Sequence, residues 1–513
     1  MSQERETETE KETETETEAE ADGRFRALAV GLPAALVLAL GLWGIDRGGI
    51  WRDEAVTFQV ARRSVPEIWR LVHGVDAVHG LYYLLMHPVL ALRPDEVVLR
   101  LPSVCGAAAA AGLVAALGIR LAGPRVGLWA GLMYAVTPLT GHYAQEGRSY
   151  ALVGAGVVGA TLLLVRALDG GRTWLAYTGA VGVTCLLHEF AVLVLCAHAV
   201  TLAVSGVSRR TWARWAGAAA GAGLILLPLV LVSQAQAGQV EWLPTPGWGS
   251  AERVLRGFVV GPKGVVFETG VVLMLVGLAA RRVAAVALPL MAIPPVLLML
   301  VSQIRPMYDD RYVLYALAGA PLLIAAGADR LADRILGRVP YVPLAGALAV
   351  LVAFLHHLPL HRQDRTPERR PDNLAAVSAL AAGQIRRGDA VLFVPSIGRR
   401  AAVAYPEGFR HARDIALRAP GPASGTLYGR ETDADELRRR LARADRVWVV
   451  AEPYTLRSDW RPRNPTERAK IAAVWEDFVP CEQYVRGGVT LRLYERRPAT
   501  VLPLTGPPRR ERW

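Results

Sequence analysis

Apolar residues in this chain gather into blocks separated by short polar turns. The first block runs from Ala27 to Ile45, and others cover roughly 99–121, 126–142, 149–168, 173–188, 189–206, 214–232, 265–280, 283–301, 312–328 and 341–357. A helix needs about 20 residues to cross a bilayer, so these blocks read as about eleven membrane spans. The run Leu81–Leu92 is apolar but only twelve residues long. It is expected to be a juxtamembrane helix lying in the interface, with Tyr82, Tyr83 and His87 as anchors. The unbroken stretch Trp174–Ser205 is too long for one helix without extreme tilt and is divided near His188-Glu189.

Charge then assigns sides. Arg24 and Arg26 precede the first span and place its start in the cytoplasm, which puts the region Asp46–Leu99 outside. With Leu81–Leu92 left out of the count, every second connection is basic: Arg120 and Arg125; Arg166 and Arg172; Arg209, Arg210 and Arg214; Arg281 and Arg282; Arg330, Arg334 and Arg338. This alternation supports the register and puts the C-terminus outside.

Composition agrees. With 513 residues, 52% of them hydrophobic, and a mean hydropathy of +0.26, the chain is too apolar for a soluble protein of its length. Its net charge of +12 hides an acidic segment: residues 1–22 carry ten acids and two bases, a net of −8, leaving +20 for the rest. The basic excess fits membrane flanks and a phosphate-bearing substrate, and does not call for nucleic acid. Residues 1–26 are expected to form a disordered acidic cytoplasmic tail, unlike a signal peptide in charge. Of the four cysteines only Cys481 lies in a polar region, so no disulfide framework or zinc site is legible.

The membrane domain is expected over 27–358, followed by a linker at 359–372 rich in Arg, Pro and Asp. Residues 373–498 read as an extracytoplasmic α/β domain. Its helices are expected at Leu374–Ile385 and Ala434–Ala444, and its strands at Ala390–Pro395, Val447–Ala451 and Gly488–Tyr494. A flexible tail is expected at 499–513. The fold class is therefore mostly α: a polytopic membrane helix bundle, with juxtamembrane helices in the first outer loop and a C-terminal extracytoplasmic α/β domain.

Ionisable and aromatic residues collect on the outer turns. The first loop holds Asp53, Glu54, Asp76 and His79; the next turn runs from His142 to Tyr150 and includes Tyr143, Glu146 and Arg148; a third holds His188 and Glu189. A later one holds Arg305, Tyr308, Asp309, Asp310, Arg311 and Tyr312. The cytoplasmic turns offer little but arginine and glycine, so an outward-facing active site is the economical interpretation. Each piece also has a plain structural reading. Glu146 could pair with Arg148, His188 could be a buried hydrogen-bonded histidine, Asp309-Asp310-Arg311 could be a salt-bridged flank, and Tyr82 and Tyr83 could belong to an interfacial belt.

The acidic residue just after span one, then Asp76-Ala77-Val78-His79-Gly80-Leu81-Tyr82-Tyr83, Leu99-Arg100-Leu101-Pro102-Ser103, Tyr143–Leu152 and Asp310-Arg311-Tyr312 together resemble the GT-C superfamily. The pattern is most similar to bacterial membrane glycosyltransferases related to protein O-mannosyltransferases and to lipid A aminoarabinose transferases. The resemblance covers residues 27 to about 360. It implies a polyprenyl-phosphate-linked sugar (mannose or another hexose or pentose) as donor. It also implies transfer on the outer face with inversion, to a lipid, glycan or protein acceptor, and contact with membrane lipids. Asp53 matches the acidic residue proposed as general base, with the adjacent Glu54 as its alternative, and Glu146 corresponds to a second polar active-site position. Arg148, Arg305 and Arg311 are the implied partners of the donor phosphate, and His79, Tyr82, Tyr83, Tyr143, His188 and Tyr312 complete the substrate-binding set. Many relatives carry a Pro-Pro pair where this chain has Val78-His79-Gly80.

Elementary chemistry points the same way: a carboxylate can deprotonate an acceptor hydroxyl while a cation holds the departing phosphate. Arginine does this without a metal. A divalent metal is left open as a cofactor, since Asp53, Glu54 and His79 could ligate one. The competing reading is a membrane transporter or lipid flippase without transferase activity; neither internal repeats nor polar residues at mid-membrane favour it.

Overall fold

The computed structural model describes residues 2–240, 242–259, 261, 264–335, 337, 341–366, 370, 372–456, 460–462 and 464–497, with the backbone alone for 2–19 and 240. The tail expected at 499–513 lies outside the described residues.

Each expected apolar block is helical. In chain order the helices are α1 (Ser2–Leu42), α2 (Arg52–Ala61), α3 (Val65–Val72), α4 (Gly80–Leu92), α5 (Glu96–Ala122), α6 (Pro124–Val136), α7 (Pro138–Ala144), α8 (Tyr150–Leu168) and α9 (Trp174–Leu187). They continue with α10 (Val194–Val204), α11 (Arg209–Ala235), α12 (Trp248–Phe258), α13 (Val265–Gly277), α14 (Arg281–Val301), α15 (Gly319–Ile335), α16 (Val342–Gln363) and α17 (Leu374–Gln384). Among the described residues seven helical stretches are long and apolar enough to cross a membrane, and Trp174–Leu187, Glu189–Val204 and Val265–Gly277 are apolar but shorter. The chain is a multi-pass membrane protein.

Three local outcomes differ from the sequence expectation. Helix α1 begins at Ser2, so its backbone takes in the segment expected as an acidic tail. The block 126–142 is two helices, because Thr137 precedes Pro138 and adopts extended geometry (φ −65°, ψ 127°). Helix α16 runs on to Gln363, into the stretch expected as a linker. The division of the long Trp174–Ser205 block falls where it was expected. His188 is extended (φ −163°, ψ 115°), and a 3-10 turn, Glu189–Leu193, leads into α10.

The chain splits into two compact units. The first holds the described residues of Met1–Ile45, Ala77–Tyr82 and Arg100–Asp364. Within it α13 and α15 meet backbone to backbone: a Cβ on Gly277 would strike the Leu323 carbonyl, and one on Gly327 would strike that of Leu273. The motif residues Arg100 and Ser103 act here as braces. Fully buried Arg100 donates to the Ile45 carbonyl at 2.8 Å, and Ser103 Oγ donates to the Arg148 carbonyl at 2.9 Å. The Gln145 amide donates to the carbonyls of Gly41 and Trp43, fastening the α7–α8 turn to the end of α1.

The second unit holds Asp46–Asp76, Tyr83–Leu99 and the described residues of Arg365–Trp513. Its strands are β1 (Ala390–Val394), β2 (Arg413–Asp414), β3 (Leu417–Ala419), β4 (Arg430–Glu431), β5 (Arg446–Ala451), β6 (Phe478–Arg486) and β7 (Val489–Arg496). Five form one sheet in the order β2-β1-β5-β7-β6, parallel through β2, β1 and β5 and antiparallel beyond. The inner strands β1 and β5 are apolar throughout their buried length, whereas the edge strand β6 is polar and exposed and carries Pro480 beside an irregularity in its pairing. The loop helices join this unit through an apolar cluster of Val60, Ile68, Leu71 and Tyr83, against which Leu427 packs. Helix α3 begins with a capping box in which Ser64 and Glu67 bond reciprocally.

Candidate functional site

Four turns of the first unit bring polar side chains together. The 3-10 turn Ala77–His79 presents His79, the α7–α8 turn presents Glu146 and Arg148, the break before α10 presents His188, and the 3-10 stretch Asp310–Ala318 presents Arg311 and Tyr312. Their centre is histidine and arginine. A guanidinium nitrogen of Arg148 lies 2.8 Å from Nε2 of His79, and both side chains are buried. Because arginine only donates, that imidazole nitrogen accepts and His79 is neutral in this arrangement.

His188 packs beside the pair, its ring 6.2 Å from that of His79, 5.7 Å from Tyr150, 5.7 Å from Phe190 and 5.0 Å from Tyr312. It is 4% exposed, and its Nδ1 has no hydrogen-bond partner among the described residues. A buried nitrogen without a partner costs desolvation energy, and a ligand hydroxyl or phosphate would answer it. Tyr143 extends the cluster, with its ring 5.7 Å from Tyr150 and 4.9 Å from His142. His142 in turn faces two carboxylates: Glu146 at 4.0 Å and Asp364 at 3.5 Å.

Arg311, half-buried, reaches Asp309 at 3.3 Å and lies over the Tyr312 ring, 5.8 Å from its centre. The neighbouring Asp310 pairs with Arg253 at 2.9 Å. Part of the Asp309-Asp310-Arg311 stretch is thus a salt-bridged flank. Arg305 is exposed and donates to Gln234 at 3.3 Å, apart from the His188 cluster. Tyr82 is fully buried, as is Tyr83, whose hydroxyl donates to the Asp76 carboxylate; the expectation of surface-anchoring tyrosines is corrected accordingly. His87 bonds the Ala61 carbonyl at 2.8 Å instead of serving as a free anchor.

In the second unit, Asp53 and Glu54 occupy the first turn of α2, where acidic groups suit the helix dipole. Adjacent helical residues point about 100° apart, and here Glu54 is fully buried while Asp53 is partly exposed.

Sequence reasoning missed four residues near the expected set. Tyr150 lay inside the quoted motif and His142 at the start of the same outer turn, so both could have been taken from the sequence. Phe190 carried only the signal of adjoining Glu189. Asp364 was assigned to a linker, with nothing local to connect it to His142 more than two hundred residues earlier. Among the described residues no group of three or more His, Cys, Asp or Glu is arranged to hold a metal ion.

Residues 81–233 match the family model described as dolichyl-phosphate-mannose-protein mannosyltransferase. Among solved structures, the chain is similar to ArnT from Cupriavidus metallidurans in the apo state, with 13% identity and a TM-score of 0.56, covering 90% of this chain and 97% of that one. ArnT from the same organism bound to undecaprenyl phosphate matches with 13% identity and a TM-score of 0.56, covering 93% of this chain and 98% of that one. A comparison with curated proteins finds no match. At such identity the structural likeness establishes the fold, and the family match falls inside it. The chain thus shares the fold of ArnT over nearly its whole length and matches the mannosyltransferase family model over residues 81–233.

Proposed function

We propose that this protein is an inverting glycosyltransferase that moves a sugar, mannose or another hexose or pentose, from a polyprenyl phosphate to an acceptor hydroxyl on the outer face of the membrane. The observation that carries the reading is the cluster of buried Arg148, His79 and His188 with half-buried Tyr312, set on turns of a fold similar to ArnT, a protein solved with undecaprenyl phosphate. The family match over 81–233 supports a mannosyl donor in particular. Alternating basic connections support the outward orientation and a C-terminal domain outside the cell.

In the proposed reaction the acceptor oxygen attacks C1 of the sugar as the C1–O bond to the phosphate breaks, in one displacement. Asp53, or Glu54 in its place, takes the hydroxyl proton. Negative charge grows on the departing phosphate, and Arg148, assisted by Arg311, stabilises it. Tyr312, Tyr143 and His188 line the sugar and phosphate, and Glu146 orients His142 beside them. Tyr82 and Tyr83 complete the substrate-binding set. Arg305, at the exposed end of the same loop, meets the polyprenyl phosphate on entry. The acceptor is a lipid, a glycan or a protein.

The test is turnover of a donor panel. Purified protein in nanodiscs would be given undecaprenyl phosphate carrying radiolabelled mannose, glucose, galactose or arabinose, together with a membrane extract as acceptor source, and free undecaprenyl phosphate would be measured. Release above background with at least one donor is expected. Binding of every donor with release from none would contradict the proposal and favour a transporter or flippase.

A further inference from the structure

Helix α2, which carries Asp53 and Glu54, is ten residues long and lacks a cap of its own: Trp51 stands at its N-cap position and makes no side-chain cap bond. A helix this short is marginal in isolation, and its first amides need acceptors. The acceptor comes from 320 residues downstream. Asp372 Oδ1 accepts from the backbone N–H of Arg52 at 3.1 Å, and Oδ2 pairs with Arg52 Nε at 3.1 Å. Asp372 is 3% exposed and is held from behind by Arg400, 3.7 Å away, which also donates to Glu452.

Other bonds within the same unit fix the helix entrance. The Ile50 N–H donates to the Tyr405 hydroxyl at 2.8 Å, and that hydroxyl donates to Glu96 at 2.5 Å. Gly49 lies so close to Ala375 that an added Cβ would stand 2.8 Å from the Ala375 Cβ and 3.0 Å from Asn373 Oδ1. Just beyond the C-terminal end of α2, Arg63 donates to the carbonyls of Thr426 and Leu427 at 2.9 and 3.2 Å. The residues after 365 therefore grip the loop helix at both ends.

We propose that Asp372 is a positioning residue for sugar transfer: by capping α2 from the C-terminal domain, it fixes the direction in which Asp53 is presented. The domain thus acts as a clamp on the helix that carries the base. This inference rests on the reading of Asp53 or Glu54 as that base.

Three variants separate the cap from its charge. Asp372→Ala and the shorter Asp372→Ser withdraw the oxygen from the Arg52 amide, whereas Asp372→Asn keeps a capping oxygen without the charge. With the donor found active in the panel, Asp372→Ala should lower kcat by about ten- to a hundredfold with donor KM little changed, as expected when a reacting group is misplaced by about an ångström. Amide exchange across Asp53–Phe58 should accelerate in the same protein. Asp372→Asn should retain most of kcat and slow exchange, whereas Asp372→Ser should behave like the alanine variant.

An Asp372→Ala protein with wild-type kcat and exchange would overturn the proposal. A folded Asp372→Asn protein that loses kcat would also overturn it, and this arm decides the matter if the alanine variant does not fold. Were Asp53→Asn and Glu54→Gln both to keep full turnover, the assignment of the base would fall, while the exchange data would still report on the cap.

Discussion

Arg148 and His79 form a buried donor–acceptor pair, with a guanidinium nitrogen 2.8 Å from Nε2. The imidazole accepts from a flexible cation and helps to hold it in one place. Replacing His79 with Leu takes this acceptor from a buried donor and should lower stability by about 1–3 kcal/mol, read by thermal unfolding in detergent. His79→Gln, which brings back an acceptor oxygen, should recover much of that loss. Equal destabilisation by both would contradict the pairing.

Arg148 itself should be needed for phosphate. A lysine there keeps the charge but loses the planar set of donors. Undecaprenyl phosphate affinity, measured by native mass spectrometry or thermophoresis, should fall about tenfold or more in Arg148→Lys. Arg305→Ala, changing an exposed residue outside the His188 cluster, should have a smaller effect.

The helix packing sets a different expectation. An added side chain at Gly327 would meet the carbonyl of Leu273 on α13, where no flexible group can yield. Gly327→Ala should destabilise the protein by about 1–3 kcal/mol through overpacking, with the unfolding temperature in detergent as the readout. Gly179→Ala, where a Cβ would meet nothing within 4 Å, is the control and should be close to neutral.

Much of the membrane architecture was legible because its signals are local. Apolar length located the helices, and the charged pair His188-Glu189 located the break between α9 and α10. Pro138 likewise carried enough information to divide α6 from α7, although block length alone concealed it. The gathering of His79, Arg148, His188 and Tyr312 followed from counting polar turns. What was not legible depends on distant pairing. Nothing near Asp372 announces an amide 320 residues earlier, and nothing near Asp364 announces His142. The strand β6 escaped notice because an edge strand with a proline and polar outer residues lacks the apolar run that marks β1 and β5.

The α/β unit offers a pH test. Burial opposes charge on Asp389, yet bonds from Arg446, the Arg386 N–H and Trp448 outweigh it and hold its carboxyl below the usual aspartate range. Because the folded state binds the proton less tightly than the unfolded state, this contribution is present above the ordinary aspartate pKa of about 3.9 and is lost as pH falls through the lower folded value. Asp389→Asn should be less stable than wild type at pH 7, with the difference shrinking as pH falls below about 4, in denaturant titrations of the full chain. A difference independent of pH would contradict it.

The central claim is sugar transfer with Asp53 as base, and the most direct measurement is undecaprenyl phosphate release by Asp53→Asn beside wild type, using the donor that the panel identifies. Asp53→Asn should retain undecaprenyl phosphate binding and lower turnover by about a hundredfold or more, the scale of a lost general base. Turnover equal to wild type in the folded variant would contradict the account.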